Sequence, residues 1–481
     1  MTLTDLMTIL PLAVLLIWAT LLLLVDLWIP KDRKGITALL AAFGLALTLG
    51  LSLVGSQQPQ QAFGGMVVVD GFAVFLDVIF LGSALAAIAL AHDYLKRMNI
   101  MRGEYYPLLL YATGGMLLMT YAYDLIIIFL ALELLSIPLY ILSGFIRLNL
   151  YSEEAALKYF LLGTFSSGLV LYGIALVFAS TAHTDLPGVL AAVKQSPTNL
   201  TMFLLGGVLL LVGFSFKSAI VPFHSWVPDV YQGAPSSVTG FMSVGAKAAG
   251  FAALMRIFVV AFPTLSADFT PVLWGLAAVT MVVGNVIALA QTNLKRLLAY
   301  SSIAQSGYLM MAFVPYGQGV VLSDTIAAML FFLAGYALAT LGAWAVVIAV
   351  EKAEGKGLEL EDYAGLGRKY PILGAAMTVF MLSFIGAPPT LGFWGKFYLF
   401  RTAVEGGFTS LALLGLVASI LSAFYYLRVV VMMFMRTGES EASRDPWLIL
   451  TASLSALAVV GISLVPGSLL NLALQAVLKL L

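Results

Sequence analysis

The feature that most restricts this chain is a succession of about fourteen apolar stretches, each roughly 17 to 25 residues long, separated by short polar loops. They cover approximately 7–29, 36–55, 71–92, 105–122, 125–146, 156–180, 200–221, 236–260, 271–291, 297–314, 323–350, 372–404 (interrupted), 408–434 and 446–466. A helix of about 20 residues rises roughly 30 Å, the thickness of a bilayer's hydrocarbon core. A membrane strand needs only about half as many residues, so runs of this length exclude a closed barrel. The expected fold is an all-α integral membrane protein. Composition agrees: 61% of the residues are hydrophobic and 10% charged, more apolar surface than a water-soluble core could hide.

Other classes fall away on charge and residue usage. Lys plus Arg numbers 24 and Asp plus Glu also 24, so no excess positive charge points to nucleic acid. With no cysteine, the chain itself offers neither a disulfide nor a thiolate ligand for zinc or an iron–sulfur cluster. Neither a G-x-x-x-x-G-K-[ST] phosphate loop nor a strand-flanked G-x-G-x-x-G is found. Asp5 precedes the apolar run Leu10–Trp28 with no basic lead, so a retained first helix is expected rather than a cleaved signal peptide.

Loop charge tests the topology independently, because Lys and Arg gather on the cytoplasmic side. One alternating set of loops carries Lys31, Arg33 and Lys34; Lys96, Arg97 and Arg102; Arg147; Lys295 and Arg296; Lys352, Lys356, Arg368 and Lys369; and Arg436 with Arg444. The other set spans Gln57 to Asp70, Tyr123 and Asp124, Thr181 to Asn199, Ala261 to Thr270 and Tyr316 to Asp324, and its one basic residue is Lys194. An even span count with basic odd-numbered loops predicts both termini on the non-cytoplasmic side.

The five spans from about 105 to 260 and the five from about 271 to 434 share a broken fourth member. In the first, Phe216 to Pro222 runs into His224, Pro228 and Pro235; in the second, Gly386-Ala387-Pro388-Pro389 interrupts the helix before Lys396. Proline removes a backbone donor, so a break at membrane depth survives only where the freed groups face protein or water. Five is odd, so the second unit starts from the opposite side of the membrane. Two inverted five-helix repeats, each with a broken helix, are therefore expected, as in ion-coupled transporters. The competing reading is two unrelated proline kinks, Gly and Pro being common in membrane helices. The predicted division is 1–104 (three helices), 105–265 (first repeat), 266–436 (second repeat) and 437–481 (final helix).

Four ionisable residues fall inside spans, where a charge costs about 2.5–3.5 kcal/mol at the centre. Glu133 lies in Phe129 to Leu135 with nothing polar beside it before Ser136, and Lys247 lies among the small residues of Gly245 to Gly250. Lys217 and Lys396 occupy the two broken helices. Each lysine has a second reading, in which it snorkels to the interface, and Lys217 near the end of its run fits that reading most readily. Burial favours a neutral lysine and a nearby carboxylate a charged one, so a buried lysine with a variable acidic partner can load and release a proton. On this reading Glu133 pairs with Lys217, Lys247 is the central relay and Lys396 the exit-side site.

His224, just past Pro222, either passes protons or caps backbone freed by the break. Lys158 follows Glu153 and Glu154 at helical spacing, which fits an interfacial ion pair as well as proton uptake. Asp77, Asp229, Lys295 and Tyr300 are lesser candidates; Asp77 is expected to pack near a span end, and Lys295 with Arg296 to act as a topology signal. His92 and His183 are expected at interfaces or in loops without a specific role.

The stretch Pro222 to Pro235, PFHSWVPDVYQGAP, resembles the broken-helix signature of the antiporter-like subunits of respiratory complex I, related hydrogenases and multisubunit sodium/proton antiporters. Glu154 to Gly173, Lys295 to Tyr308 (KRLLAYSSIAQSGY), Glu361 to Leu366 (EDYAGL) and Ala387 to Phe400 (APPTLGFWGKFYLF) resemble subunit N of bacterial NADH:quinone oxidoreductases. The likeness runs from about Tyr105 onward, and the first three helices match only in general character. It implies fourteen helices with a charged mid-membrane axis, and carries the family's key glutamate onto Glu133 and its three key lysines onto Lys217, Lys247 and Lys396. Lysine at 396 is similar to subunits N and L and unlike M, and the chain ending at Leu481 lacks the lateral helix of L. Family members often have histidine where this chain has Gln305.

The activity the resemblance implies is proton translocation coupled to quinone reduction in other subunits. FMN, iron–sulfur clusters and quinone are expected in those partners and no cofactor in this chain. Partners are expected to be other membrane subunits, including related antiporter-like ones, and the lipid bilayer, with no nucleic acid; the location is a bacterial inner or plasma membrane. The alternatives are a subunit of a multisubunit sodium/proton antiporter or membrane-bound hydrogenase, and a structural spacer whose charges only fix helix packing.

Overall fold

The computed structural model describes residues 2–55, 59–195, 199–319, 321–352 and 355–478. Gln57 and Leu481, which bound two of the sequence readings, lie outside them. The helices are α1 (Leu3–Thr8), α2 (Leu10–Val25), α3 (Gly35–Gly55), α4 (Gly71–Arg97), α5 (Tyr105–Tyr121), α6 (Leu125–Ser143), α7 (Leu150–Thr181), α8 (Leu186–Lys194), α9 (Leu200–Lys217) and α10 (Trp226–Gly233). They continue with α11 (Ser236–Met255), α12 (Ser266–Leu289), α13 (Leu294–Phe313), α14 (Leu322–Val350), α15 (Leu366–Lys369), α16 (Pro371–Ile385), α17 (Leu391–Glu405), α18 (Thr409–Met435), α19 (Pro446–Ser463) and α20 (Pro466–Leu478). Among the described residues, eleven helices are long and apolar enough to cross a membrane.

The loops start these helices by a common device. Asp70, Asp124, Asn149, Asn199, Asn293 and Asp445 each sit at an N-cap and accept hydrogen bonds from first-turn amides, satisfying donors the helix leaves open. Asn149 starts α7 six residues earlier than the apolar run predicts. A second difference from the expected all-α fold is a short antiparallel hairpin, β1 (Gln60–Ala62) with β2 (Val67–Val69), in the loop between α3 and α4. Gly64 and Gly65 take positive φ at its turn, a conformation open to glycine, and the three-residue strands are too short to show a periodic pattern.

Both broken segments are present. α9 ends at Lys217 and the chain runs irregularly to α10; α16 ends at Ile385 and α17 begins at Leu391. The freed backbone is partnered as burial demands. Val221 N–H donates to Thr280 Oγ1 at 3.1 Å, and the Phe216 carbonyl accepts from Trp226 Nε1 at 3.0 Å. At the second break Ser419 Oγ donates to the Ile385 carbonyl at 2.7 Å and Gly392 N–H to Ser383 Oγ at 3.2 Å.

The middle of the molecule is made by α11 and α14, which pack on each other. Every residue of α11 is buried, and so is nearly all of α14. Helices apolar all round belong at such a position, and the small residues Gly245, Ala246, Ala248, Ala249 and Gly250 let neighbours approach α11 closely. A Cβ at Gly250 would lie 2.6 Å from Ser218 Oγ, so the first break is seated directly against this helix.

A candidate site of buried lysines

The three mid-membrane lysines share one environment. Lys217, 3% exposed, donates to Ser136 Oγ at 2.7 Å and to Tyr159 OH at 3.1 Å, with its ammonium 5.0 Å from the Tyr159 ring centroid. Lys247, 2% exposed, donates to both the hydroxyl and the carbonyl of Ser302 and lies 5.1 Å from the Tyr336 ring. Lys396, 4% exposed, donates to the carbonyls of Phe384 at 2.8 Å and Ile385 at 3.1 Å and to Ser419 Oγ at 2.9 Å, with the Tyr308 ring 4.3 Å away. None of the three snorkels. Each has a serine oxygen and an aromatic face, and among the described residues none forms an ion pair.

Helix ends contribute to two of these sites. Lys396 reaches the carbonyl end of α16, where unpaired C=O groups favour a cation. That end is closed by Gly386 at φ +87°, where an added Cβ would also meet Lys396 Cδ at 3.0 Å. Lys217 is the last residue of α9, so its stem leaves the helix at the break.

One helix, α13, touches all three neighbourhoods. Ser306 Oγ donates to the Ser218 carbonyl at 2.6 Å, next to Lys217. Ser302, one turn away, holds Lys247 and accepts from Tyr336 OH at 2.9 Å. Gln305 Nε2 donates to the Phe384 carbonyl at 3.1 Å, the same oxygen Lys396 uses, and to Tyr426 OH at 3.3 Å. Tyr426 OH and Ser301 Oγ are 2.5 Å apart. Residues 301, 302, 305 and 306 follow helical spacing, so a single face of α13 carries the hydroxyl and amide groups that lie between the lysines.

The expected direct pairing of Glu133 with Lys217 is not made in this conformation. Ser136, three residues on along α6, takes the ammonium, and Glu133 Oε1 is buried without a hydrogen-bond partner. Glu133 is half-buried and borders the outward stripe of Ile126, Leu130, Ile137 and Ile141, each 46–51% exposed.

His224 is half-buried beyond the break with Nδ1 unpartnered. Lys158 stands apart from the buried lysines, in an ion-pair cluster with Glu154 at 2.7 Å and Asp229 at 2.5 Å, and Asp229 also pairs with Arg296 at 2.8 Å. Tyr300 is half-buried, and His183 lies in a loop against Asp185.

Several buried polar groups exceed what the sequence signalled. Asp77, in the second turn of α4, is fully buried and accepts from Ser52 Oγ at 2.6 Å and Tyr121 OH at 2.5 Å. Lys295 is buried too, donating to the Ala234 carbonyl at 2.8 Å, because α10 folds onto α13. Arg256 and Asp70 form a buried bidentate pair at 2.6 and 2.9 Å, and Arg256 also donates to the Thr120 carbonyl. Glu351 is buried at the end of α14 beneath Tyr94. Asp77 sat inside an apolar run and was open to the same argument as Glu133; Arg256 and Glu351 lay at span ends, where a charge raises no alarm.

A family model described as NADH:quinone oxidoreductase/Mrp antiporter, TM, matches residues 122–422, a stretch that holds both breaks and all three buried lysines. The chain is thus of the antiporter-like class of membrane subunits. It is similar to NADH-quinone oxidoreductase subunit N of Trichlorobacter lovleyi, 44% identical over 98% of this chain and 96% of that one, and to subunit N of Chloroflexus aggregans, 46% identical over 96% and 95%. A chain in the solved structure of respiratory complex I from Thermus thermophilus with bound aureothin superimposes with a TM-score of 0.83, 38% identity and coverage of 96% and 99%. The chain belongs to the NADH-quinone oxidoreductase subunit N family, and is a multi-pass membrane subunit of that respiratory complex. The Mrp complex from Dietzia sp. DQ12-45-1b matches with a TM-score of 0.86 at 21% identity, a likeness of fold alone.

Proposed function

We propose that this subunit carries protons through the membrane along Lys217, Lys247 and Lys396, with Glu133 controlling the first site. The observation that carries this reading is the row of three buried lysines, on three separate elements, whose neighbourhoods are all touched by the hydroxyl and amide groups of α13. A buried lysine without a carboxylate partner is held only by hydrogen bonds and aromatic faces, so modest local changes decide whether it keeps its proton. Approach of a carboxylate favours the ammonium form and withdrawal favours release. Quinone reduction elsewhere in the complex moves Glu133 relative to Lys217, and the proton released there passes along the α13 face to Lys247, held by Ser302, and then past Gln305 to Lys396. His224 and Lys158 act on the uptake side in secondary roles.

The same proposal completes the architecture. α5, α13 and the α16–α17 pair, shorter or more polar than the other spans, bring the crossings to fourteen. Residues 105–265 and 266–436 form two inverted five-helix units between an N-terminal 1–104 and a final helix in 437–481, with both termini on the non-cytoplasmic side. Glu133, bordering an exposed apolar stripe, supports a neighbouring membrane subunit on that face as the source of its movement. Electron transfer belongs to partner subunits with FMN, iron–sulfur clusters and quinone, in keeping with the absence of cysteine here.

The test is a reconstituted complex carrying Lys247→Ala. Quinone reduction is expected to continue with fewer protons moved per electron; an unchanged ratio in an assembled complex removes Lys247 from the path.

A further inference from the structure

Away from the lysine row, a cavity of about 910 Å³ opens between the start of α3, the end of α4 and the first turn of α19. Its walls are apolar, with Leu39, Leu85 and Ile88 facing it. Its rim is basic: Lys31 and Lys96 are exposed without an ion-pair partner among the described residues, while Lys34 is engaged by Asp26 at 2.7 Å. Among the residues whose side chains are described, which leave out Asp32, no carboxylate lines the cavity. His92 stands on its wall with Nδ1 buried and unpartnered, and the half-exposed indole of Trp447 lies at its mouth.

The dimensions match one leaflet. From Leu85 to Lys96 the cavity follows α4 for eleven residues, about 16 Å at 1.5 Å per residue, against a half-thickness of roughly 15 Å for the hydrocarbon core. The occupant must therefore carry a long apolar body and an anionic head at the level of Lys31 and Lys96. Both lysines belong to the basic loops, so the head lies on the side where anionic lipids attract cationic residues, and the tryptophan is the side chain expected at that depth. A neutral amphiphile would leave the rim charge unanswered, and a free anion would leave the apolar walls bare.

We propose that this cavity binds an anionic phospholipid, with its phosphate between Lys31 and Lys96 and an acyl chain along α3 and α4. The lipid fills the seam where the N-terminal helices meet α19, and braces it.

The test uses the intact complex in phosphatidylcholine nanodiscs with trace photoactivatable phosphatidylglycerol, or photoactivatable phosphatidylcholine of the same chains, and maps the adducts by peptide mass spectrometry. The phosphatidylglycerol probe is expected to label residues 35–42 and 85–96 roughly twenty-fold more than the phosphatidylcholine probe, at about 1 kcal/mol for each of the two lysines. At about 1 kcal/mol per cationic side chain, Lys31→Ala and Lys96→Ala each lower that excess roughly fivefold. Ala89→Trp, which narrows the cavity wall where the acyl chain runs, lowers labelling by both probes, and millimolar inorganic phosphate does not displace the lipid. Equal labelling by the two probes, indifference to the lysine changes, displacement by phosphate, or no adduct in the assembled complex each overturns the proposal. Both lysines are exposed, so these variants keep the fold, and normal quinone reduction checks it.

Discussion

Gln305 and Lys396 donate to one oxygen, the carbonyl of Phe384, at 3.1 and 2.8 Å. This shared acceptor ties the central helix α13 to the last lysine of the row. Gln305→Ala is expected to leave the carbonyl to Lys396 alone and to slow proton delivery to it about fivefold, the value of one net hydrogen bond. Gln305→His, which restores a polar group of similar reach, is expected to recover most of the rate. Proton uptake by reconstituted vesicles, normalised to quinone reduction, separates the two variants.

Ser136 stands where a direct carboxylate contact was expected. If it transmits the influence of Glu133 to Lys217, the substitutions Glu133→Gln and Ser136→Ala are coupled, with an interaction energy above about 0.5 kcal/mol in a double-mutant cycle on the proton translocation rate. Additive effects would mean that the two residues act on Lys217 separately.

The Asp70–Arg256 pair concerns stability rather than transport. Both side chains are buried, and removing one leaves the other charge without its partner, at a cost of about 3–5 kcal/mol. Arg256→Leu alone is expected to lower the thermal unfolding midpoint of the detergent-solubilised complex sharply. The double change Asp70→Leu with Arg256→Leu is expected to regain part of the loss; a double variant no better than the single one would show that Asp70 matters mainly as the cap of α4.

Outside the membrane, Lys352 donates to Glu441 at 2.6 Å and holds its carboxyl below the usual glutamate range. A carboxyl lowered on folding adds stability above its unfolded value, and the contribution fades as pH falls through the folded one. The difference in unfolding midpoint between the parent and Glu441→Gln is therefore expected to be small, present at neutral pH and absent in acid. Midpoints measured across that range check the sign.

Much of this was legible in the chain. Apolar runs marked the helices, and prolines beside Lys217 and Lys396 marked both breaks. The cost of burying charge singled out Lys217, Lys247 and Lys396, which the structure encloses in protein, and passed over Arg256 and Glu351. What stayed hidden depends on which side chains meet. Serine and tyrosine raise no alarm in a membrane helix, so nothing distinguished Ser302 or Ser136 from other hydroxyls. Lys295 beside Arg296 read as a loop charge because only the folding of α10 onto α13 buries it. That Ser136 and not Glu133, three residues apart on α6, meets the Lys217 ammonium is finer than spacing can resolve.

The position of α13 has one more consequence. Its contacts to Ser218, Lys247 and the Phe384 carbonyl all leave from the same side of one cylinder, and an advance of one residue turns that side by about 100°. Such a twist would disconnect every station at once, like a rotary valve. Rotation of a single rod would thus act on all three lysine neighbourhoods together, alongside any local control of Lys217 by Glu133.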